Sequence, residues 1–182
     1  MIKLLVVLFL LLPAAMFAQD FVDTVVKEPK LGSVLRTVRP YDIFGDTTKE
    51  VLQVETSKAK RVDDIVVKFG VYSGRKLIYS DKWKAKEYFD KKDALPDSVK
   101  WRRLRRIMTY FFSSQNFTSS SDSTIVESLA LLERVDIKAN STDEKEFLAA
   151  PHTIFSVYAG RDKLYGITYL DSKKKFVTVW RN

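Results

Sequence analysis

Apolar side chains occupy alternate positions at Ile65, Val67, Phe69 and Val71, the period of a strand with one buried face. Ser73-Gly74-Arg75 then supplies a turn, and residues 76–80 return antiparallel. The C-terminal stretch repeats this pattern. Strands at 154–159, 163–170 and 175–180, separated by Gly160-Arg161-Asp162 and by residues 171–174, form a meander. Residues 50–56 and 34–38 add shorter strands, the latter ending at Arg39-Pro40, where the residue before proline avoids helix.

One segment has the helical period instead. After Pro96-Asp97-Ser98, a good helix start, the spacing of Trp101, Leu104, Met108 and Phe111 is three, four, three. This predicts an amphipathic helix over 98–112, with Lys100, Arg102, Arg103, Arg105 and Arg106 on the remaining surface. Residues 81–89 fit a short helix or a strand equally well. In 124–138, Thr124 with Glu127 reads as a capping box, whereas Ile125, Leu129, Leu131, Val135 and Ile137 fall on alternate positions, so the second half is read as a strand. Residues 140–146 read as a polar loop. The elements together predict an α+β domain over 33–182, preceded by a flexible lead-in at 19–32. It is a mostly antiparallel sheet of six to eight strands with the one basic helix packed on it.

The extreme N-terminus obeys a different rule. Lys3 precedes an unbroken apolar run, Leu4 to Leu12, and Met16-Phe17-Ala18 leads into polar Gln19-Asp20. A charged start, a short apolar middle and a small-residue exit are the pattern of a secretory signal peptide cut after Ala18. The run is shorter than the roughly 20 apolar residues that span a bilayer, which weighs against a retained anchor. The chain has no cysteine, so an exported domain of this kind has neither a disulfide framework nor a thiol nucleophile. Export without disulfides points to the periplasm or cell envelope of a Gram-negative bacterium. Triplets such as Asp46-Thr47-Thr48 and Asp97-Ser98-Val99 resemble acceptor sites for periplasmic O-glycosylation, and equally well start turns and caps.

Charge narrows the search for a site. The formal net charge is +8, or +7 without Lys3, and residues 61–113 carry fourteen basic and seven acidic side chains while residues 19–60 and 114–182 balance. The excess centres on Arg102, Arg103, Arg105 and Arg106, whose guanidinium groups suit phosphate or carboxylate. A second basic feature is an internal echo. Phe69-Gly70-Val71-Tyr72-Ser73-Gly74-Arg75 recurs as Phe155-Ser156-Val157-Tyr158-Ala159-Gly160-Arg161. If the two tips meet, Arg75 and Arg161 with Tyr72 and Tyr158 would grip an anionic or flat group. If the echo is turn chemistry alone, the tips separate, and unmatched flanks favour separation.

The usual catalytic constellations are missing. The lone His152 lacks a Gly-x-Ser-x-Gly elbow, zinc would need several His or Cys ligands, and no glycine-rich phosphate loop is present. No cofactor or metal is expected. Carboxylates near the first hairpin, Asp63-Asp64 with Glu87 and Asp90, support an alternative reading as a glycan or peptide hydrolase. A third reading is an assembly module that recruits a partner along a meander edge, opposed by Lys173-Lys174-Lys175. The favoured expectation is a non-catalytic envelope binding domain. Its partner is an anionic envelope component or another envelope protein, reached without spanning the membrane, and nucleic acid is excluded by export.

Overall fold

A computed structural model describes residues 29–44, 49–90, 92, 94–121, 133–134, 137 and 141–181. The expected signal segment 1–18, residues 19–28 of the expected lead-in and most of 124–138 lie outside the described residues. Strands β1 (Arg36–Tyr41), β2 (Glu50–Thr56), β3 (Val66–Ser73) and β4 (Lys76–Lys84) form one antiparallel sheet in that order. A second antiparallel sheet has the order β5 (Phe117–Ser119), β7 (Thr153–Gly160), β8 (Lys163–Leu170), β9 (Lys175–Arg181) and β6 (Glu133–Arg134). Helix α1 (Asp97–Tyr110) connects the sheets, and α2 (Thr142–Ala149) precedes β7. The fold is α+β with antiparallel sheets.

The architecture departs from expectation in specific ways. Nine strands in two sheets, and two α-helices, stand among the described residues where one sheet of six to eight strands and one helix were expected. β4 continues to Lys84, and only Ala85–Tyr88 forms a 3-10 turn, so the ambiguous 81–89 segment is strand first and turn second. β1 runs through Pro40 because it is an edge strand paired only with β2. Thr56 N–H donates to Leu35 O at 2.9 Å, which sets the alternation so that Pro40, with no N–H, faces the free edge. Within the expected loop at 140–146, residues 142–146 instead begin α2, whose N-cap Ser141 accepts from Glu144 N–H at 3.2 Å.

One apolar cluster joins both sheets and α1. The inner face of the first sheet contributes Leu52, Val54, Val67, Phe69 and Val71; the second contributes Phe155, Val157, Tyr165 and Ile167. The α1 stripe Trp101, Leu104 and Met108, followed by Phe111 and Phe112, completes it. Phe69 lies at the centre, with ring centroids 5.4 Å from Phe155 and 5.8 Å from Phe111. A smaller cluster on the opposite face of the second sheet packs Phe147 of α2 with Ile154, Leu170, Val177 and Val179.

α2 is latched to the β8–β9 turn by charge. Glu146 accepts from Asp171 N–H at 2.7 Å and from Ser172 N–H at 3.3 Å, and Asp143 pairs with Lys173 at 2.6 Å. The Ser172 side chain, then the Ser172 and Asp171 backbone N–H groups and the charge of His152, hold the Glu146 carboxyl below its ordinary 4.5. A depressed folded value means that the latch is complete above 4.5 and is lost as pH falls through the lower folded value. We expect Glu146→Ala to strip the Asp171 and Ser172 amides of exchange protection at neutral pH and to remove the acid-induced loss seen in wild type. Unchanged protection at neutral pH would show that the turn holds itself.

Candidate functional site

The basic face of α1 is fixed by contacts at both helix ends. At the N-terminus, Val62 N–H donates to the Asp97 carboxylate at 3.2 Å, and Lys100 pairs with Asp63 at 2.7 Å. Trp101 Nε1–H donates to Pro29 O at 3.2 Å, so the end of the expected lead-in is tied to the helix. At the C-terminus, the Thr37 hydroxyl donates to Met108 O at 2.8 Å, and the Arg39 guanidinium donates to Phe112 O. With the apolar stripe turned inward, the outward side has no choice of residues.

That side carries Arg102, Arg103 and Arg106, all exposed, while Arg105 is half-buried. Arg102 and Arg106 are four residues apart, one turn and about 6 Å along the axis. No carboxylate among the described residues pairs with Arg102, Arg103 or Arg106. Their placement is not explained by helix stability. The last turn, where the helix dipole favours cations, has no basic residue, and the arginines lie in the middle of the helix. The arrangement offers a row of guanidinium groups without carboxylate partners among the described residues.

Arg75 and Arg161 are not brought together. Arg75 is at the β3–β4 turn, whereas the β7–β8 tip docks beyond the far end of β4. There Arg161 N–H donates to Glu87 O at 2.7 Å, and its guanidinium pairs with Asp90. The length of β4 separates the tips by roughly 26 Å at strand rise, which rules out a shared grip. The echo nevertheless reaches into the pairing: Tyr72 faces Leu77 and Tyr158 faces Leu164, each beside a register shift. It is repeated hairpin chemistry. Tyr158 is also bound locally, because the Tyr88 hydroxyl, buried and held far above its ordinary pKa by desolvation, donates to Tyr158 O at 2.9 Å.

The carboxylates do converge. Asp63, Glu87 and Asp90 border one open cleft of about 690 Å³, whose lining also includes Lys86, Lys92, Lys100, Arg161 and Asp162. Asp64 is not in its lining. Asp63 is occupied by Lys100 and Asp90 by Arg161. The Lys92 backbone N–H, followed by the Arg161 side chain, holds Asp90 below the usual carboxylate range, the direction opposite to that of a general acid. The cleft is charge-paired rather than poised.

His152 has a structural role. Its ring stacks on Phe147 at 5.7 Å and 13°, Nε2 lies 3.2 Å from Glu146 O, and its backbone N–H donates to Ser120 Oγ at 2.8 Å. The meander's outer strands are partly covered, β7 by β5 and β9 by β6. Among the described residues no cluster of three His, Cys, Asp or Glu side chains is placed to hold a metal ion, and no helix is long and apolar enough to cross a membrane. No protein-family model, curated protein or solved structure matches the chain, so its functional reading rests on these residues.

Proposed function

We propose that the protein is an exported envelope domain that holds an anionic partner, without catalysis, on the outward face of α1. The observation carrying this reading is the exposed row Arg102, Arg103 and Arg106 without carboxylate partners among the described residues, on a helix clamped at both ends. Export rests on the charged, apolar and small-residue pattern of residues 1–18. The partner is a phosphate- or carboxylate-bearing component of the envelope, such as an anionic lipid surface or an acidic envelope protein.

Each basic side chain near an anionic surface contributes about 1 kcal/mol, screened by salt. Arg102→Glu with Arg106→Glu removes two attractions and adds two repulsions. It should weaken retention on anionic vesicles at least about thirty-fold, roughly 2 kcal/mol, and flatten the salt dependence. Thermal melting should stay near wild type, because both side chains are exposed. Equal retention of variant and wild type would reject this face. If retention falls on an acidic envelope protein and not on vesicles, the partner is the protein.

The convergence of Asp63, Glu87 and Asp90 on one cleft supports a second reading, a hydrolase of glycan or peptide. Under that reading Glu87, the exposed carboxylate of the set, would be the catalytic acid or base. Hydrolysis of envelope glycan or peptide that is abolished by Glu87→Gln would favour it over binding alone.

A further inference from the structure

The face of the first sheet turned away from α1 and the second sheet is not covered by any described element, and the register arranges its side chains in three bands. Arg36, Glu55, Lys68 and Lys82 are successive cross-strand partners and form a charged band. Val38, Gln53, Gly70 and Ser80 form the next, and Pro40, Val51, Tyr72 and Leu77 an apolar one. Between them lies a trough of about 450 Å³, within the size range of small-ligand pockets.

Two features of the trough call for a ligand. Lys68 and Lys82 are directly opposite one another, both exposed, with no carboxylate paired to either ammonium among the described residues. Like charges at directly opposed positions destabilise a strand pair, and an anion between them relieves the repulsion. At the other end, Gly70 leaves the sheet without a side chain, and Tyr72 and Leu77 fold over the gap. A Cβ there would lie 3.1 Å from both Tyr72 Cε2 and Leu77 Cδ1. The half-exposed Tyr72 ring is therefore fixed as a flat platform over Gly70, two strand residues or about 7 Å from Lys68.

We infer that this trough binds an anionic oligosaccharide, with a carboxylate or phosphate substituent between Lys68 and Lys82 and a sugar ring on Tyr72. The middle of the trough decides for a sugar over a lipid chain. Gln53 accepts from the Arg36 guanidinium and donates to Glu55 at 3.2 Å, which orients its amide and leaves one N–H and one lone pair for a ligand, and the Ser80 hydroxyl lies across Gly70 from it. These groups match hydroxyls, and the Glu55 carboxylate would repel a purely anionic headgroup while accepting from a sugar OH. The trough lies on the opposite side of the sheet from the α1 arginines and is independent of them.

Isothermal titration with a tetramer of galacturonic acid, a neutral galactose tetramer and inorganic phosphate tests the assignment. The uronate tetramer should bind, at least tenfold tighter than either of the others. Lys68→Gln with Lys82→Gln, and separately Tyr72→Leu, should each weaken it tenfold or more, and Arg102→Glu with Arg106→Glu should leave it unchanged. Lys68 and Lys82 are exposed and leucine keeps an apolar cover on Gly70, so wild-type melting temperatures are expected of all variants. No binding of the uronate tetramer, or equal binding of the neutral tetramer, overturns the inference. So does phosphate binding as tightly as the tetramer, or loss of binding only in the α1 variant.

Discussion

Truncating Phe69 to alanine is expected to destabilise the protein by about 3–5 kcal/mol, the range for deleting a fully buried phenylalanine. Phe69 is 1% exposed. Its ring touches Tyr79 of β4, Phe111 and Phe112 at the end of α1, and Phe155 of β7. These neighbours come from three separate parts of the chain and cannot collapse together into the gap, which places the cost in the upper part of that range. Domains of this size retain about 5–15 kcal/mol in total, so the variant should approach the limit of folding. Urea unfolding should show a much lower midpoint with a similar slope. Leu148→Ala, at a side chain 59% exposed, is the control and should change little. A Phe69→Ala variant as stable as this control would mean that the two sheets do not share one core.

What was legible in the sequence is what local periodicity determines. The stripe Trp101, Leu104, Met108 and Phe111 is buried as its spacing requires, and α1 runs over Asp97–Tyr110 against an expected 98–112. The alternation through Val67, Phe69 and Val71 and the C-terminal meander likewise follow from a period of two. Period alone does not say which strands pair. β5 and β6 are short flanking strands that close the second sheet by pairing with β7 and β9, and nothing local separates them from β1–β4. α2 gives little periodic signal because it has only eight residues, although Ser141-Thr142-Asp143-Glu144 has the Ser-x-x-Glu form of a capping box.

The candidate site divides in the same way. Once the apolar stripe is assigned, Arg102, Arg103 and Arg106 must face outward. Lys100, counted with them in the basic segment, instead reaches Asp63 across 37 positions of sequence and is neutralised there. Arg161 is neutralised by Asp90 across 71 positions. Such pairings depend on topology, so sequence counts of charge overstate the free cations. The band of Arg36, Glu55, Lys68 and Lys82 was invisible for the converse reason. Its members are neighbours only in strand register, which hairpin and loop lengths set and which single residues do not encode.

The second large effect is expected at Gly32, in the segment that anchors α1. Gly32 has φ +73°, a left-handed conformation that costs an L side chain of the order of 1 kcal/mol or more. A Cβ there would also lie 1.9 Å from the backbone oxygen of Ala59. A carbonyl oxygen cannot swing aside as the tip of a side chain can, so the segment itself must move. Moving it breaks the bond from Ala59 N–H to Gly32 O, 3.2 Å long, and pulls on Pro29 O, the acceptor of the Trp101 indole. Backbone strain and overpacking together put the cost of Gly32→Ala at about 3 kcal/mol. The loss should be local first: the Trp101 indole proton and the Ala59 amide should exchange faster, while amides in β7, β8 and β9 keep their protection. Because Lys100 and Asp97 still tie the helix to residues 62–64, anionic binding by Arg102 and Arg106 should fall by less than threefold. Wild-type exchange at Trp101 and Ala59 in this variant would show that residues 29–35 do not hold the helix.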